Sequence, residues 1–254
     1  MLSLLVLDLA TGEFMNPRAS SNREIGFNLL TTIIPFALRA LLVVTMGWGI
    51  VRLFPHGKDV LAHVPLWPMF FVILIVDDYI NYWLHRTSHQ RPVLWRLHKP
   101  HHTPTYLNVL MASRENKFYY FPIPAAWMAP VMIYASAGAA SALVFGFKGV
   151  VTLLQHTGFR WDLRLRRYVA GRLLLDVVEK IVVLQDFHHV HHGIGRYNNA
   201  SSNYGDTLCV WDVLHGTAYG QRQGKTPLAW PWERRSKPVW CNCSGLWFGQ
   251  SASK

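Results

Sequence analysis

Hydrophobic positions in this chain gather in long unbroken runs instead of the spaced stripes of a soluble core. From Phe27 to Leu53 charge appears only at Arg39 and Arg52. A bilayer core needs roughly 20 apolar residues as a helix, so this run predicts a span, with Arg39 near its middle as a cost. A second run, Leu66 to Leu84, is apolar at its start and polar at its end, where Asp77 and Asp78 fall. The stretch from Phe118 to Gln155 exceeds one span and is broken by small residues from Ser136 to Ser141. It predicts a hairpin of two short spans, with Lys148 inside the second. Leu173 to Leu184 carries Asp176, Glu179 and Lys180 and suits an amphipathic helix on or partly in a membrane face. The expected architecture is all-α and integral to a membrane, with about four transmembrane helices at about 27–53, 66–84, 118–135 and 139–155. Residues 1–26 form an N-terminal segment with no basic n-region and an early Asp8. It reads as a short interfacial helix or a frayed end, not as a secretory signal. Residues 220–254, rich in Trp, Pro and Ser toward their end, read as a cytosolic surface tail.

Composition agrees with this pattern. Of 254 residues, 51% are apolar and only 15% charged. That excludes disorder and is lean for a soluble globule, where about a quarter of residues are charged. The formal charge of +11 would suit nucleic acid in a polar chain. In one this apolar it marks loops beside an anionic membrane surface, and no nucleic-acid-binding module is present. With four spans, 21 Lys and Arg fall in residues 1–26, 85–117 and 156–254, against Arg52 and Lys58 on the other side. Positive loops stay in the cytosol, so both termini are expected inside. Three cysteines, two in the pair Cys241-x-Cys243, give no disulfide framework and fit a reduced, cytosol-facing active face.

Thirteen histidines are the most unusual feature, and only His56 and His63 fall on the outer side. Three clusters stand out. They are His85-Arg-Thr-Ser-His89, His98-Lys-Pro-His101-His102, and His188-His-Val-His191-His192, the last containing an extra His189. Residues three and four apart share a helix face, so each cluster places two or three imidazoles on one side. Pro100 suggests that the second helix begins there, since proline fits a first turn. Neutral imidazole binds zinc, copper, iron or nickel. Eight converging nitrogens exceed one ion's needs and point to two metals.

The ordered set HxxxH, HxxHH, HxxHH among membrane spans resembles the fatty acid hydroxylase/sterol desaturase superfamily of membrane non-haem di-iron oxygenases. The resemblance runs from about Val72 to Tyr219. Asp78-Tyr79-x-x-Tyr82-Trp83-x-His85-Arg86 resembles the lead into the family's first box. Gln155-His156-Thr157-Gly158 resembles its lone intermediate histidine. Asn203-Tyr204-Gly205, Trp211-Asp212 and Gly216-Thr217 resemble its ending, with His215 where Phe is usual. The resemblance implies a cytosolic helical cap holding two iron ions per chain, O2 as oxidant, and lipid or sterol-like substrates reached from the bilayer. It implies His85, His89, His98, His101, His102, His188, His191 and His192 as metal ligands, with His156 as a further one. His189 reads as an outer partner or as packing. His56, His63 and His215 receive no role, and Glu115 sits in a local pattern that departs from the family's and receives none either.

Ligating histidines generally donate their other N–H to a carboxylate or carbonyl. Asp78, Asn81, Tyr82 and His85 form one helical stripe, which makes Asp78 the candidate that orients a ligating imidazole. Asp186 and Asp206 are further candidates. Asn203 and Asn199 could bond a ligand or the substrate head, or simply form turns. Arg86, Arg91, Arg96 and Lys99 could meet an anionic head or simply mark an inner loop. Acid–base residues alone cannot break an unactivated C–H bond, so the chemistry would fall to the metal, giving hydroxylation or a double bond. The sequence contains no dinucleotide-binding fingerprint, P-loop or attached electron-transfer module. The two electrons are therefore expected from a separate NAD(P)H-dependent reductase system. A sterol desaturase or methyl oxidase of the same superfamily is the alternative enzyme, and a histidine-rich membrane metal carrier the alternative outside it.

Overall fold

A computed structural model describes residues 6, 8, 21–104, 107–193 and 199–219. The expected tail at 220–254, with Cys241 and Cys243, and most of the N-terminal segment lie outside the described residues. Within them all regular structure is helical, apart from one antiparallel bridge between Val182 and Leu208.

Helix α1 runs Asn22–Leu53. It starts at a capping-box sequence, with the Ser21 side chain accepting from the Glu24 amide and Glu24 in the first turn. Its 32 residues rise about 48 Å, more than a hydrocarbon core needs. Helix α2, Leu66–Gln90, follows Pro65 and stops one residue before the Arg91-Pro92 step that disfavours helix. It does not end with its apolar run at Leu84. It continues through His85 and His89, carrying both out of the apolar zone on the rigid element that holds Asp77 and Asp78.

Helix α3, Pro92–His102, begins with Pro92 in its first turn. Pro100 therefore does not start the helix, as its sequence suggests, but lies inside its last turn, where it has no N–H to donate to the Arg96 carbonyl. The region 118–135 also departs from expectation, because it is not one span-length helix. Pro122 and Pro124 divide it into a 3-10 turn, Lys117–Tyr120, and an 11-residue helix α4, Pro124–Tyr134. At about 1.5 Å per residue α4 is roughly half a hydrocarbon core. The predicted break does occur, with Ser136 at φ 70° in the left-handed region, and α5 then runs Gly138–His156. Two helices among the described residues, α1 and α5, are long and apolar enough to cross a membrane.

Helices α2 and α5 form the central pair. Met69, Ile73 and Leu74 pack on Ala137, Ala140 and Val144, whose small side chains allow close approach. Short helices complete the end bearing the histidines: α6 (Trp161–Leu165), α7 (Val169–Val178), α8 (Gln185–His191) and α9 (Val210–Leu214). In α7 the residues Val169, Leu173, Leu174 and Val177 are exposed while Gly171 and Leu175 are buried, so its apolar face looks outward. One tie binds α1 to this end, and a second binds the N-terminal segment to it. Arg114 donates to Glu24 and Asn28 of α1 and to the Pro100 carbonyl of α3. Asp8 is buried and accepts from the Val109 and Phe159 amides.

Lys148, a cost in the sequence, is explained by its partners. Its ammonium lies 2.6 Å from Asp77, 3.1 Å from Asp78 and 3.4 Å from Asp206. Removing one partner of a buried ion pair costs about 3–5 kcal/mol, because the remaining charge stays buried. Lys148→Met is therefore expected to destabilise the protein severely in a detergent unfolding assay. A midpoint equal to wild type would show that the ammonium does not hold α5 to α2.

Candidate metal centre

Four helices deliver nine imidazoles to one place. The C-terminal end of α2 brings His85 and His89, α3 brings His98, His101 and His102, the last residue of α5 is His156, and α8 with its C-cap brings His188, His191 and His192. They divide into two adjoining groups, within each of which the available nitrogens lie within 4.8 Å of one another. One contains His85, His89, His98, His102 and His191, the other His101, His156, His188 and His192. The groups meet where His102 and His192 stack, with centroids 4.6 Å apart.

The rings are aimed by their outer nitrogens. Nδ1 of His85 bonds the Tyr204 carbonyl at 2.8 Å, Nδ1 of His191 the Ser202 carbonyl at 2.7 Å, and Nδ1 of His156 the Thr152 carbonyl at 2.7 Å. Nδ1 of His98 bonds Glu115 Oε1 at 2.8 Å. In the three rings bonded to carbonyls this fixes the proton on Nδ1 and leaves the Nε2 lone pair facing inward, and an ionised Glu115 does the same for His98. There the nitrogens crowd: His98 to His102 at 3.1 Å, His101 to His156 at 3.3 Å, His156 to His188 at 3.1 Å, and His188 to His192 at 2.9 Å. Nε2 of His85, His89 and His191 is buried with no hydrogen-bond partner.

This arrangement fits a bound cation. Two nitrogens each about 2.1 Å from one ion sit about 3.0–3.4 Å apart at octahedral to tetrahedral angles. Protonation would not relieve the crowding, because burial, and then the neighbouring imidazoles, hold His98, His101, His102, His188 and His192 well below the usual histidine range. Burial likewise depresses His191. Neutral imidazoles are the form that binds metal. Burial pushes the Glu115 carboxyl well above the usual carboxylate range, and a cation beside His98 would favour its ionised form.

The closing motifs act through backbone. Asp212 accepts from the amides of Tyr204 and Gly205, each at 2.7 Å, and from the Thr217 hydroxyl at 2.7 Å. This clamp holds the turn whose Tyr204 carbonyl aims His85. It also explains Gly205, where a Cβ would lie 2.7 Å from Asp212 Oδ2 and 2.8 Å from the Leu208 carbonyl. Thr217 further meets the Tyr82 hydroxyl at 2.9 Å.

Other expected site residues lie elsewhere. Asp78 contacts no imidazole: its Oδ2 accepts from the Leu208 amide and Trp211 Nε1, and its Oδ1 faces Lys148. The helical stripe is real, but Asp78 lies too far back along α2 and is met first by the closing segment. Asn203 sits at φ 58°, which asparagine tolerates. Its amide is committed to backbone at Phe187 and Tyr219, so it forms the turn instead of facing a ligand. Asp186 pairs with Arg160, and Asp206 with Lys148. His189 bonds the Gln155 carbonyl, and burial lowers it to about 3. His215 stacks on Tyr79 and Tyr82. Glu115, set aside in the sequence, is the carboxylate that touches the cluster, and its position opposite His98 becomes visible only once the chain folds back between α3 and α4.

A cavity of about 340 Å³ opens onto these rings. His85, His98, His101, His156 and His188 share its lining with the apolar residues Phe36, Leu84, Ile123, Phe145 and Leu153.

A helical protein with a buried histidine cluster that could hold metal, beside a largely apolar cavity, is the class this geometry defines. Residues 70–217 match the family model described as Fatty acid hydroxylase, and the chain belongs to that family. It is 26% identical over 164 residues to an alkylglycerol monooxygenase of Xenopus tropicalis, covering 62% of this chain and 32% of the relative. It is 29% identical over 161 residues to an ornithine lipid hydroxylase of Rhizobium tropici, covering 59% and 43%. It is 26% identical over 165 residues to a very-long-chain aldehyde decarbonylase of Oryza sativa subsp. japonica, covering 61% and 47%. The chain thus spans a third to a half of the length of these curated relatives. No solved structure matches it.

The Asp212 clamp gives a graded prediction. Loss of an outer partner typically costs about 10–100-fold in metal affinity, less than loss of a ligand. Asp212→Ala is expected to leave a folded protein whose metal occupancy lies between those of wild type and His85→Ala. Elemental analysis that gives Asp212→Ala full occupancy would separate the clamp from the metal site.

Proposed function

We propose that this chain is a membrane-embedded di-iron oxygenase that hydroxylates, or desaturates, a lipid or acyl chain using O2. The observation that carries the reading is nine inward-facing imidazoles in groups of five and four beside an apolar cavity. The nine would act as ligands to two iron ions, with His156 completing the group of four. When bound, the iron pair would supply oxidising power toward an unactivated C–H bond, with two electrons from a separate NAD(P)H-dependent reductase. The chain's own residues do the rest. Phe36, Leu84, Ile123, Phe145 and Leu153 hold hydrocarbon and exclude water, while Tyr204, Ser202, Thr152 and Glu115 orient the rings of His85, His191, His156 and His98. Asp78 and Asn203 contribute by fixing the closing segment that carries Tyr204.

The relatives named for alkylglycerol and ornithine lipid favour a lipid over a sterol as substrate. A metal carrier would need ligands strung along a path, whereas these gather at one buried point. Helices α1, α2 and α5 would cross the bilayer, with α4 entering it partway and the exposed apolar face of α7 lying in the interface. The charge asymmetry supports cytosolic termini and a cytosolic metal centre.

Replacing His101 or His191 by alanine should each abolish lipid oxidation and lower iron content, whereas His215→Ala should retain iron. Iron analysis and product detection in the same membranes check this, and a His101→Ala protein with full iron and turnover would end the di-iron reading. Sidedness is tested at Lys58. A cysteine placed there should react with an impermeant reagent added outside the cell, and reaction only from the cytosolic side would invert the topology.

A further inference from the structure

The cavity beside the histidines is not uniformly apolar. Asp77, Asn81, Lys148 and Asp206 also line it, opposite in character to Phe36 and Phe145. Charge inside such a protein is expensive, and an alkyl chain alone would gain nothing from it. Lys148 is shared among Asp77, Asp78 and Asp206, so one ammonium faces three carboxylates and the group remains acidic after pairing. Asp78 is held by the Leu208 amide and Trp211 and is not among the lining residues.

Asp77 is different. Its Oδ2 accepts from Lys148 at 2.6 Å and from Asn81 Nδ2 at 3.0 Å. Its Oδ1, like that of the equally buried Asp78, has no hydrogen-bond partner, but of the two residues only Asp77 lines the cavity. An ionised carboxylate can only accept, so whatever satisfies this oxygen must donate. A buried acceptor left without a donor is costly, and that cost makes a site discriminate against ligands lacking the group. Of the other charged groups in the lining, Glu115 is engaged by His98, and Arg39, on the exposed side of α1, is cationic.

We propose that Asp77, braced by Asn81 and Lys148, is the specificity-determining residue of this cavity, selecting lipids whose polar end is a hydroxyl or amine over lipids ending in a carboxylate or phosphate. The proposal rests on the lipid-oxygenase reading only in taking the occupant to be a lipid. A hydroxyl or ammonium donates to Oδ1 and relieves the acidic excess. An anionic head brings a like charge to a carboxylate that already lacks a donor.

The test is photo-crosslinking of the full chain in detergent by two alkyl diazirine probes of equal chain length, one ending in a hydroxyl and one in a carboxylate. The wild-type protein should label about tenfold more efficiently with the hydroxyl probe, the scale of one hydrogen bond to a charged group. Asp77→Asn should remove that preference while metal content stays unchanged. Lys148 retains Asp78 and Asp206 in this variant, so the helix pair keeps its ion pair. Asn81→Ala, a milder change, should reduce the preference partway. Equal labelling of wild type, a carboxylate preference, failure of both probes to label, or a hydroxyl preference that survives Asp77→Asn would each overturn the proposal. Labelling needs no turnover, which separates the two readings. An Asp77-dependent preference in a protein that oxidises no lipid would end the oxygenase reading alone. A lipid oxygenase indifferent to head chemistry would end this one alone.

Discussion

An imidazole has two nitrogens, and a metal site needs one of them facing inward with its lone pair free. The other must then find an acceptor on the outside, in a place too buried for water to serve. This requirement, met in the rings of His85, His98, His156 and His191, organises the part of the structure that carries function. It places the ends of α2 and α5, with α3 and α8, around one point. It recruits the carbonyls of Thr152, Ser202 and Tyr204 and the carboxylate of Glu115 as acceptors. The spacing of these nitrogens, about 3 Å, matches the separation of two ligands on one cation.

The apolar body solves a related problem with one ammonium. Lys148 gathers three carboxylates from α2 and the closing segment, so that α2, α5 and residues 206–208 share a single charged knot. Such a knot adds little to stability over a hydrophobic equivalent, but it does not tolerate loss of its one ammonium. Its position beside the cavity joins the holding of the helices to the polarity a substrate meets.

How much of this was legible in the sequence depended on whether the signal lay in side-chain spacing. The HxxxH and HxxHH intervals state which rings share a helix face, and the structure brings those eight rings together with the lone His156. The runs at 27–53 and 139–155 correspond to helices of spanning length, α1 and α5. Spacing fails where proline decides the local structure, as at Pro100, which lies in the last turn of a helix instead of starting one, and in the twice-interrupted 118–135 segment. It also fails for partners joined by tertiary folding. Periodicity aligned Asp78 with His85, yet Leu208 and Trp211 reach Asp78 across the fold. Glu115 has no periodic relation to His98 at all. Three of the outer acceptors are backbone carbonyls, which residue identity cannot report.

The Asp212 clamp also sets an order of events during synthesis. His85 leaves the ribosome long before Tyr204, and the acceptor that aims it is positioned only after Asp212 and Thr217 have emerged. The long helices can already be in place while the centre between them still lacks its last orienting group. A nascent chain interrupted shortly before residue 212 would therefore carry every histidine of the cluster while the acceptor that aims His85 is not yet fixed.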